Sequence, residues 1–376
     1  EGVNQLGRLT AESFAPLGFQ AESIPCTNGG RGDHLALRRA GRGGPSLAVV
    51  SPLDTVFPPE EEERNHFRWR IDGDRIYGPG TNDIKGGTVL LWMILRALQA
   101  VDPATFDAVD WRLFWNSSEE ALGDDFGQLV RRRIDAGTVA ALVFEGESRS
   151  REDHLLVVSR KGRATWRVTV SGRGAHAGGS HRQGANAIAQ MGRVIERLHG
   201  LTDYDRGLTF NVGAVRGGTV LNRVPHEAIA EGEFRAFDPV VFGAARKALE
   251  DLAGPGDLRS AADGHPCQVR VEIVSESRPW PHNPATDRLF ALWQATARQL
   301  GTRAQPEARG GLSDGNALWD VVPTLDGLGP WGENAHCSEW SADGSKLPEY
   351  VSASSFVPKA VWNALAIRAL FRQRPG

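Results

Sequence analysis

The side chains of this 376-residue chain that could do chemistry are carboxylates and one imidazole, each in a short polar segment: Asp83, Glu119, Glu120, Glu145 and His336. Carboxylate and imidazole groups are ligands of zinc and of harder divalent ions. Of two adjacent glutamates, one can bind a metal while the other takes the proton of a metal-bound water, whose pKa the metal lowers. Each segment alone is a weak signal, but together they indicate a metal-dependent hydrolytic centre.

Positioning these residues requires a scaffold of strands and helices. The apolar segments 47–51, 110–115 and 139–145 predict strands, and the run 89–98 predicts a buried helix. Strands that alternate with helices predict an α/β fold with a mixed, mostly parallel sheet flanked by helices. Open sheets of this kind bind ligands at the carboxyl ends of their strands, where most of the polar segments lie.

The sequence pattern changes near residue 160. Segments such as 164–171 and 228–237 predict strands, and 186–198 and 240–252 predict helices. Prolines after residue 278 predict a linker through which the chain returns to the first domain. We therefore expect a catalytic domain built from 1–160 and 277–376, with an α+β domain inserted at 161–276.

Composition excludes several classes of protein. The net charge of -3 gives no basic field for nucleic acid, and no apolar run reaches the length of a membrane span. Three distant cysteines do not make a disulfide framework, so a reducing, cytoplasmic location is expected. The chain begins with Glu1 rather than methionine, which leaves a preceding segment open.

Over nearly its whole length the chain resembles the co-catalytic zinc metallopeptidases that include glutamate carboxypeptidase, aminoacylase, acetylornithine deacetylase and succinyl-diaminopimelate desuccinylase. The segments that carry the resemblance occur in family order: Asp54-Thr55-Val56, Gly80-Thr81-Asn82-Asp83-Ile84-Lys85-Gly86-Gly87, Ser118-Glu119-Glu120, Gly174-Ala175-His176-Ala177-Gly178, Asn222-Arg223-Val224-Pro225 and Ser313-Asp314-Gly315-Asn316.

The resemblance implies a role for each residue of the first group. Asp83 resembles the carboxylate that bridges two metals, and Glu119 resembles the general base. Glu120 resembles a ligand of one metal, Glu145 a ligand of the other, and His336 the histidine that completes the site.

The resemblance also extends to residues around the metals. Asp54 resembles the carboxylate that orients a metal-bound imidazole, and the inserted domain resembles a dimerisation or lid domain. His176 resembles the histidine that reaches the partner subunit's site and polarises the scissile carbonyl, which implies a homodimer. Asn222 and Arg235 resemble groups that hold a substrate carboxylate.

One position departs from the family pattern. Pro52 stands where the family has its first histidine ligand, and a proline side chain cannot bind metal. One ion keeps Asp83, Glu120 and His336, whereas the other keeps two carboxylates, a poor zinc site that suits manganese or another divalent ion. By count alone, three other histidines are candidates to replace the lost ligand: His34, His66 and His154.

The sequence thus predicts an enzyme of the metallo-carboxypeptidase or aminoacylase type, with one or two zinc ions. Its expected reaction is hydrolysis of an amide bond in a carboxylate-bearing substrate, an N-acyl amino acid or small peptide, by a water that Glu119 activates. Two alternatives stay open because of Pro52: a non-hydrolytic or acyl-transfer reaction in the same pocket, or a metal-poor binding protein.

Overall fold

A computed structural model of the chain describes residues 1–27, 29–121, 125–150 and 153–372. Over these residues the α-helices are α1 (Gly2–Phe14), α2 (Pro59–Arg64), α3 (Gly86–Val101), α4 (Pro103–Ala108), α5 (Asp125–Arg133), α6 (Ala187–His199), α7 (Pro239–Glu250), α8 (Pro284–Gln299) and α9 (Phe356–Arg372). The β-strands are β1 (Gln20–Ile24), β2 (His34–Arg39), β3 (Ser46–Pro52), β4 (Arg70–Asp72), β5 (Arg75–Tyr77), β6 (Asp110–Asn116), β7 (Thr138–Val143), β8 (Ser148–Ser150), β9 (Asp153–Arg160), β10 (Gly162–Ser171), β11 (Thr209–Gly217), β12 (Glu227–Ala236), β13 (Gly254–Arg259), β14 (Pro266–Ser277), β15 (Ala304–Arg309), β16 (Thr324–Leu325), β17 (Gly332–Glu333) and β18 (Tyr350–Ser352).

The chain divides into two compact units. The first comprises Glu1–Val158, His282–Ala308 and the chain from Ser313 onward, and the second comprises Ser159–Pro281 and Arg309–Leu312. The segment 161–276 expected as an insertion lies inside the second unit. The chain leaves the second unit at Pro281 rather than at residue 276, because the backbones of Arg160 and Trp280 hydrogen-bond to each other beyond the end of β14.

The first unit contains a six-stranded sheet of order β1-β2-β6-β3-β7-β16. Strand β3 runs parallel to β6 and β7, and β16 runs parallel to β7, whereas β1, β2 and β6 pair antiparallel. Every residue of β3 is buried, with Leu47 and Val49 in one apolar cluster and Ala48 and Val50 in another. Alternate side chains therefore face two cores, as in a sheet covered on both faces. This confirms the mixed, mostly parallel sheet.

The second unit is an α+β module. Its five strands are all antiparallel, in the order β11-β12-β10-β14-β13. Trp166, Val168 and Val170 alternate along β10 into an apolar cluster with residues of α6 and α7, such as Met191 and Phe242. One face of the sheet is thus covered by helices, which confirms the α+β character of this module.

Helix α3 forms the centre of the first unit. With the preceding turn, Thr81–Val101 has the length and composition of a membrane span, which the sequence analysis did not anticipate. However, Leu90, Leu91, Ile94 and Leu95 have no exposed surface and belong to the main apolar cluster. This burial is typical of the core helix of a globular unit.

Candidate metal centre

Three of the expected ligands meet in the first unit. The Nε2 atom of His336 lies 3.1 Å from Oδ2 of Asp83 and 3.4 Å from Oε1 of Glu120. One ligand atom of each residue lies within 4.8 Å of the other two. Hydrogen bonding to Asp83, and then to Glu120, raises the pKa of His336 to about 10. A site that favours positive charge this strongly, built from two carboxylates and an imidazole, has the donor set of a divalent metal.

Local backbone geometry explains how Asp83 reaches this cluster. It lies in the turn Thr81–Lys85 that leads into α3, and the turn begins after Gly80, which has φ 71°. A side chain at Gly87 would place its Cβ 2.2 Å from the carbonyl oxygen of Phe144, the residue that follows β7. The two glycines therefore let the turn form and allow α3 to approach β7 closely.

Glu119 lies beside the cluster and is enclosed by other acids. Burial raises its pKa well above the usual value, and the charges of Asp314, Glu120, Asp83 and Asp54 raise it further. A carboxylate in such surroundings holds a proton more tightly than an exposed one. This property suits a group that accepts a proton and later returns it.

Asp54 holds the loop that carries both glutamates. Its Oδ1 accepts a hydrogen bond from the backbone N–H of Glu119, and its Oδ2 accepts one from the backbone N–H of Glu120, both at 3.1 Å. Burial raises the pKa of Asp54 to about 6 despite these bonds. With Pro52 two residues earlier, the carboxylate contacts backbone N–H groups where the family resemblance implied a metal-bound imidazole.

The other side of this loop is held by two residues to which the sequence analysis gave no role. The Nδ2 of Asn116 donates to Oδ1 of Asp314 at 2.8 Å, while its Oδ1 accepts from the backbone N–H of Ser118 at 2.9 Å. Asp314 lies in the Ser-Asp-Gly-Asn segment that carried part of the resemblance. That motif could have identified Asp314 as a site residue, whereas no local pattern predicts its hydrogen bond with Asn116.

Glu349 is a further residue that sequence reasoning missed. Its carboxylate is fully buried and accepts hydrogen bonds from the backbone N–H groups of Asn82 (2.9 Å), Asp83 (3.1 Å) and His336 (3.3 Å). Burial raises its pKa to about 7. No local pattern in the sequence marks Glu349, because Asn82 and Asp83, whose N–H groups it binds, are distant in sequence.

Glu145 and Pro52 lie at the ends of neighbouring parallel strands. Glu145 follows β7 and is buried, and its carbonyl accepts from the N–H of Gly329 at 2.8 Å. Among the described residues it is not part of the three-ligand cluster. Pro52 ends β3, buried and opposite Asn116 of β6.

Among the described residues, none of the three candidate histidines belongs to the cluster of Asp83, Glu120 and His336. His154 Nδ1 lies 2.5 Å from Glu147 Oε1, and His66 lines a cavity whose lining does not include the three cluster residues. His34 forms a second cluster of potential ligands with Cys26 and Asp125. Because the Nδ1 of His34 accepts the backbone N–H of Ser117 at 3.1 Å, its Nε2 carries the proton and offers no lone pair to a metal.

The remaining candidates lie in the second unit. His176 is exposed, and its Nδ1 accepts from the N–H groups of Gly178 (3.2 Å) and Gly179 (3.0 Å), so the neutral ring presents Nε2–H as a donor. Asn222 is close to this turn, because its carbonyl accepts from the N–H of Ala177 at 2.9 Å. Arg235 instead pairs with both oxygens of Glu233 and donates to the carbonyl of Gly310.

Comparison with known proteins agrees with this architecture. Residues 158–258 match the model of the peptidase dimerisation domain of M20 peptidases. The chain is 26% identical over 369 residues to carboxypeptidase G2 of a Pseudomonas species, covering 97% of this chain and 83% of that protein. It is 25% identical over 348 residues to succinyl-diaminopimelate desuccinylase of Bordetella petrii, covering 87% and 85%.

Solved structures show the same fold. Aminopeptidase PepT from Bacillus cereus has a TM-score of 0.75 at 19% identity, covering 98% of this chain and 96% of that one. A dinuclear metal-binding M20 peptidase from Bacillus subtilis has a TM-score of 0.66 at 14% identity, covering 99% and 93%. The chain thus contains a segment that matches the peptidase dimerisation domain, is similar over most of its length to a carboxypeptidase and a desuccinylase, and has the fold of the M20 peptidases.

Proposed function

We propose that this protein hydrolyses an amide bond in a substrate with a free carboxylate, an N-acyl amino acid or a small peptide, in a metal-dependent reaction. The observation that carries the proposal is the convergence of Asp83, Glu120 and His336 beside the buried Glu119. The sequence similarity to carboxypeptidase G2 and to a desuccinylase supports the class of bond.

The residues fit a divalent ion, for which zinc is our first choice. Asp83, Glu120 and His336 would hold it, which is the number of protein ligands usual in a catalytic zinc site. When bound, the ion would polarise the substrate carbonyl and lower the pKa of a water molecule. A second ion would have Asp83 and Glu145 as its ligands, and oxygen donors alone favour a harder ion such as manganese.

The chain's own residues would handle the proton. Glu119 would accept it from the attacking water and then donate it to the leaving amine, and its raised pKa strengthens it as a base. The Nε2–H of His176 would donate a hydrogen bond to the carbonyl oxygen as negative charge develops there.

We further propose a homodimer in which His176 acts in the partner subunit's site, supported by the match to a dimerisation domain. Asn222 and Arg235 are proposed to hold the substrate carboxylate, for which Arg235 would have to exchange its partner Glu233. A cytoplasmic location is proposed from the free cysteines Cys26, Cys267 and Cys337.

The test of the base is Glu119→Gln, assayed on N-acyl amino acids together with elemental analysis of bound metal. Turnover should be abolished while the metal content stays that of the wild type. Glu120→Gln should lose metal as well as turnover, and Glu196→Gln on the exposed face of α6 is the matched control. Unchanged turnover in Glu119→Gln would refute the assignment.

Pro52 favours a second candidate, a binding protein that keeps the fold without turnover. Metal analysis after loading with zinc or manganese separates the two. About two ions per chain would indicate a rebuilt second site, and about one would indicate a single-metal hydrolase. No bound metal after loading would refute the hydrolase proposal and favour the binding protein.

A further inference from the structure

A cavity of about 820 Å³ lies in the first unit, lined by cationic and aromatic side chains. Its cations are Arg64, Arg68, Arg70 and Lys346, and its exposed rings include Trp69 and Trp340. We call it the arginine–tryptophan cavity. The chain as a whole has a net charge of -3, so this cavity differs in the sign of its charge from the protein as a whole.

Arg70 lies over two aromatic rings of this cavity. Its guanidinium carbon lies 4.8 Å from the ring centre of Tyr77 and 4.6 Å from that of Trp340. The two rings are nearly perpendicular to each other, with centres 5.9 Å apart. Stacking on ring faces fixes the plane of the guanidinium and leaves its N–H edges free to bind a carboxylate in two-pronged fashion. The Nη2 atom of Arg70 makes a long ion pair with Oδ2 of Asp72 at 3.9 Å.

The positive charge of the cavity is only partly neutralised. Lys346 pairs with Glu339, which is the one acid among the lining residues. Among the residues that the structure describes, Arg68 forms no ion pair. Trp69 and Trp340 expose 67% and 49% of their surface, which is unusual for tryptophan. The surface thus offers ring faces and unneutralised guanidinium groups together.

The cavity wall and the metal-ligand cluster share one chain segment. Ser338, two residues after His336, accepts a hydrogen bond from Nδ2 of Asn65 at 2.6 Å, and both residues line the cavity. The backbone N–H of Glu349, which follows the lining residue Pro348, bonds to the carbonyl of Cys337. Contacts in the cavity are therefore made by the same loop that presents His336.

We propose that the arginine–tryptophan cavity binds the end of the substrate beyond the scissile amide, and that this end carries a planar ring with a carboxylate. The ring stacks on Trp69 or Trp340, and the carboxylate binds the guanidinium of Arg70 with help from Arg68. This substrate class rests on the proposed function, but binding of the anion itself does not require turnover.

The first test is calorimetry of the zinc-loaded protein with 2-naphthoate and with its uncharged analogue 2-naphthamide. The anion should bind more tightly than the amide, and Arg70→Ala should weaken its binding about tenfold, the effect of losing a charge-assisted hydrogen-bond pair. Arg96→Ala is the matched control, because Arg96 also lies over a tryptophan ring, at 5.8 Å from the centre of Trp92 on α3.

The proposal would be overturned by no binding of 2-naphthoate, by equal binding of the amide, or by equal loss in Arg70→Ala and Arg96→Ala. Binding that is lost in His336→Ala but kept in Arg70→Ala would locate the anion at the metal cluster and also refute it.

The second test compares N-benzoyl and N-(4-carboxybenzoyl) derivatives of an amino acid. Arg70→Ala should raise KM about tenfold for the carboxylated compound alone, with kcat unchanged. An equal rise for both compounds would contradict the substrate assignment. If neither compound is hydrolysed by the wild type, the proposed function fails, whereas the calorimetric result still decides the cavity.

Discussion

Replacing Asp54 by asparagine tests how the proposed base, Glu119, and a proposed metal ligand, Glu120, are held. The carboxylate of Asp54 accepts the backbone N–H groups of Glu119 and Glu120, one on each oxygen, at 3.1 Å. Asparagine keeps one acceptor oxygen and turns an amide NH₂ group towards the other N–H. The variant therefore loses one charge-assisted hydrogen bond and sets two donors against each other.

The structure suggests a size for this effect. A hydrogen bond to a charged group contributes about 1.5–3 kcal/mol, so a loss of about 2 kcal/mol in the stability of the loop is expected. If the loop must adopt this conformation to bind metal, the zinc affinity should fall about thirtyfold, since 1.4 kcal/mol is a factor of ten. The value of kcat/KM should fall at least as much, because Glu119 moves with Glu120.

The assay is equilibrium dialysis with zinc, together with kcat/KM and thermal unfolding. Asp74→Asn is the control, because Asp74 also accepts a backbone N–H, that of Ser354 at 2.7 Å, but at an exposed turn. The control should bind zinc like the wild type. Zinc affinity within about twofold of wild type in Asp54→Asn would refute the reasoning, because the predicted loss is more than ten times larger.

The other predictions concern separate parts of the first unit. Pro52→His should gain about one metal ion per chain in elemental analysis, and no gain would mean that the end of β3 does not hold the ligand geometry of the family. Glu349→Gln should lower zinc affinity about tenfold, since an amide NH₂ would face a backbone donor; unchanged dialysis curves would contradict this. At Asp125, burial raises the pKa, but hydrogen bonds from the N–H and hydroxyl of Thr27 and from His34 outweigh it and lower the pKa to about 2. Asp125→Asn should therefore reduce the free energy of unfolding by about 1–2 kcal/mol above pH 4, and the difference should vanish as the pH falls from 4 to 2; a constant difference would refute the linkage.

Much of the fold could be predicted from local patterns. The apolar run of β3 and the alternation along β10 distinguish a strand buried on both faces from one with a single buried face, and both assignments are confirmed. Boundaries were less accurate: the strand expected over 139–145 is Thr138–Val143, so Glu145 lies beyond its end. The small sheet β17-β18-β5-β4 was not anticipated, since its strands are too short to show a period.

The residues of the candidate site likewise fall into those that the sequence indicated and those that it did not. The order of the motifs indicated Asp83, Glu120 and His336, and the structure brings these three side chains together. Glu349 and the pair Asn116 and Asp314 were beyond reach, because their bonds join segments distant in sequence. Arg235 shows the opposite difficulty: its position in the pattern suggested a ligand-binding role, yet the structure pairs it with Glu233 two residues away.

The bonds made by Glu349 have a consequence for biosynthesis. This residue is 267 positions after Asn82, whose N–H it binds, and it also fixes the backbone of His336. A chain emerging from the ribosome exposes Asp83 and Glu120 long before either of these partners exists. Until Glu349 and the following strand β18 have been synthesised, the bonds from Glu349 to Asn82 and His336 cannot form. Under the proposed function, the loop that would select the metal ion therefore takes its folded form only near the end of translation.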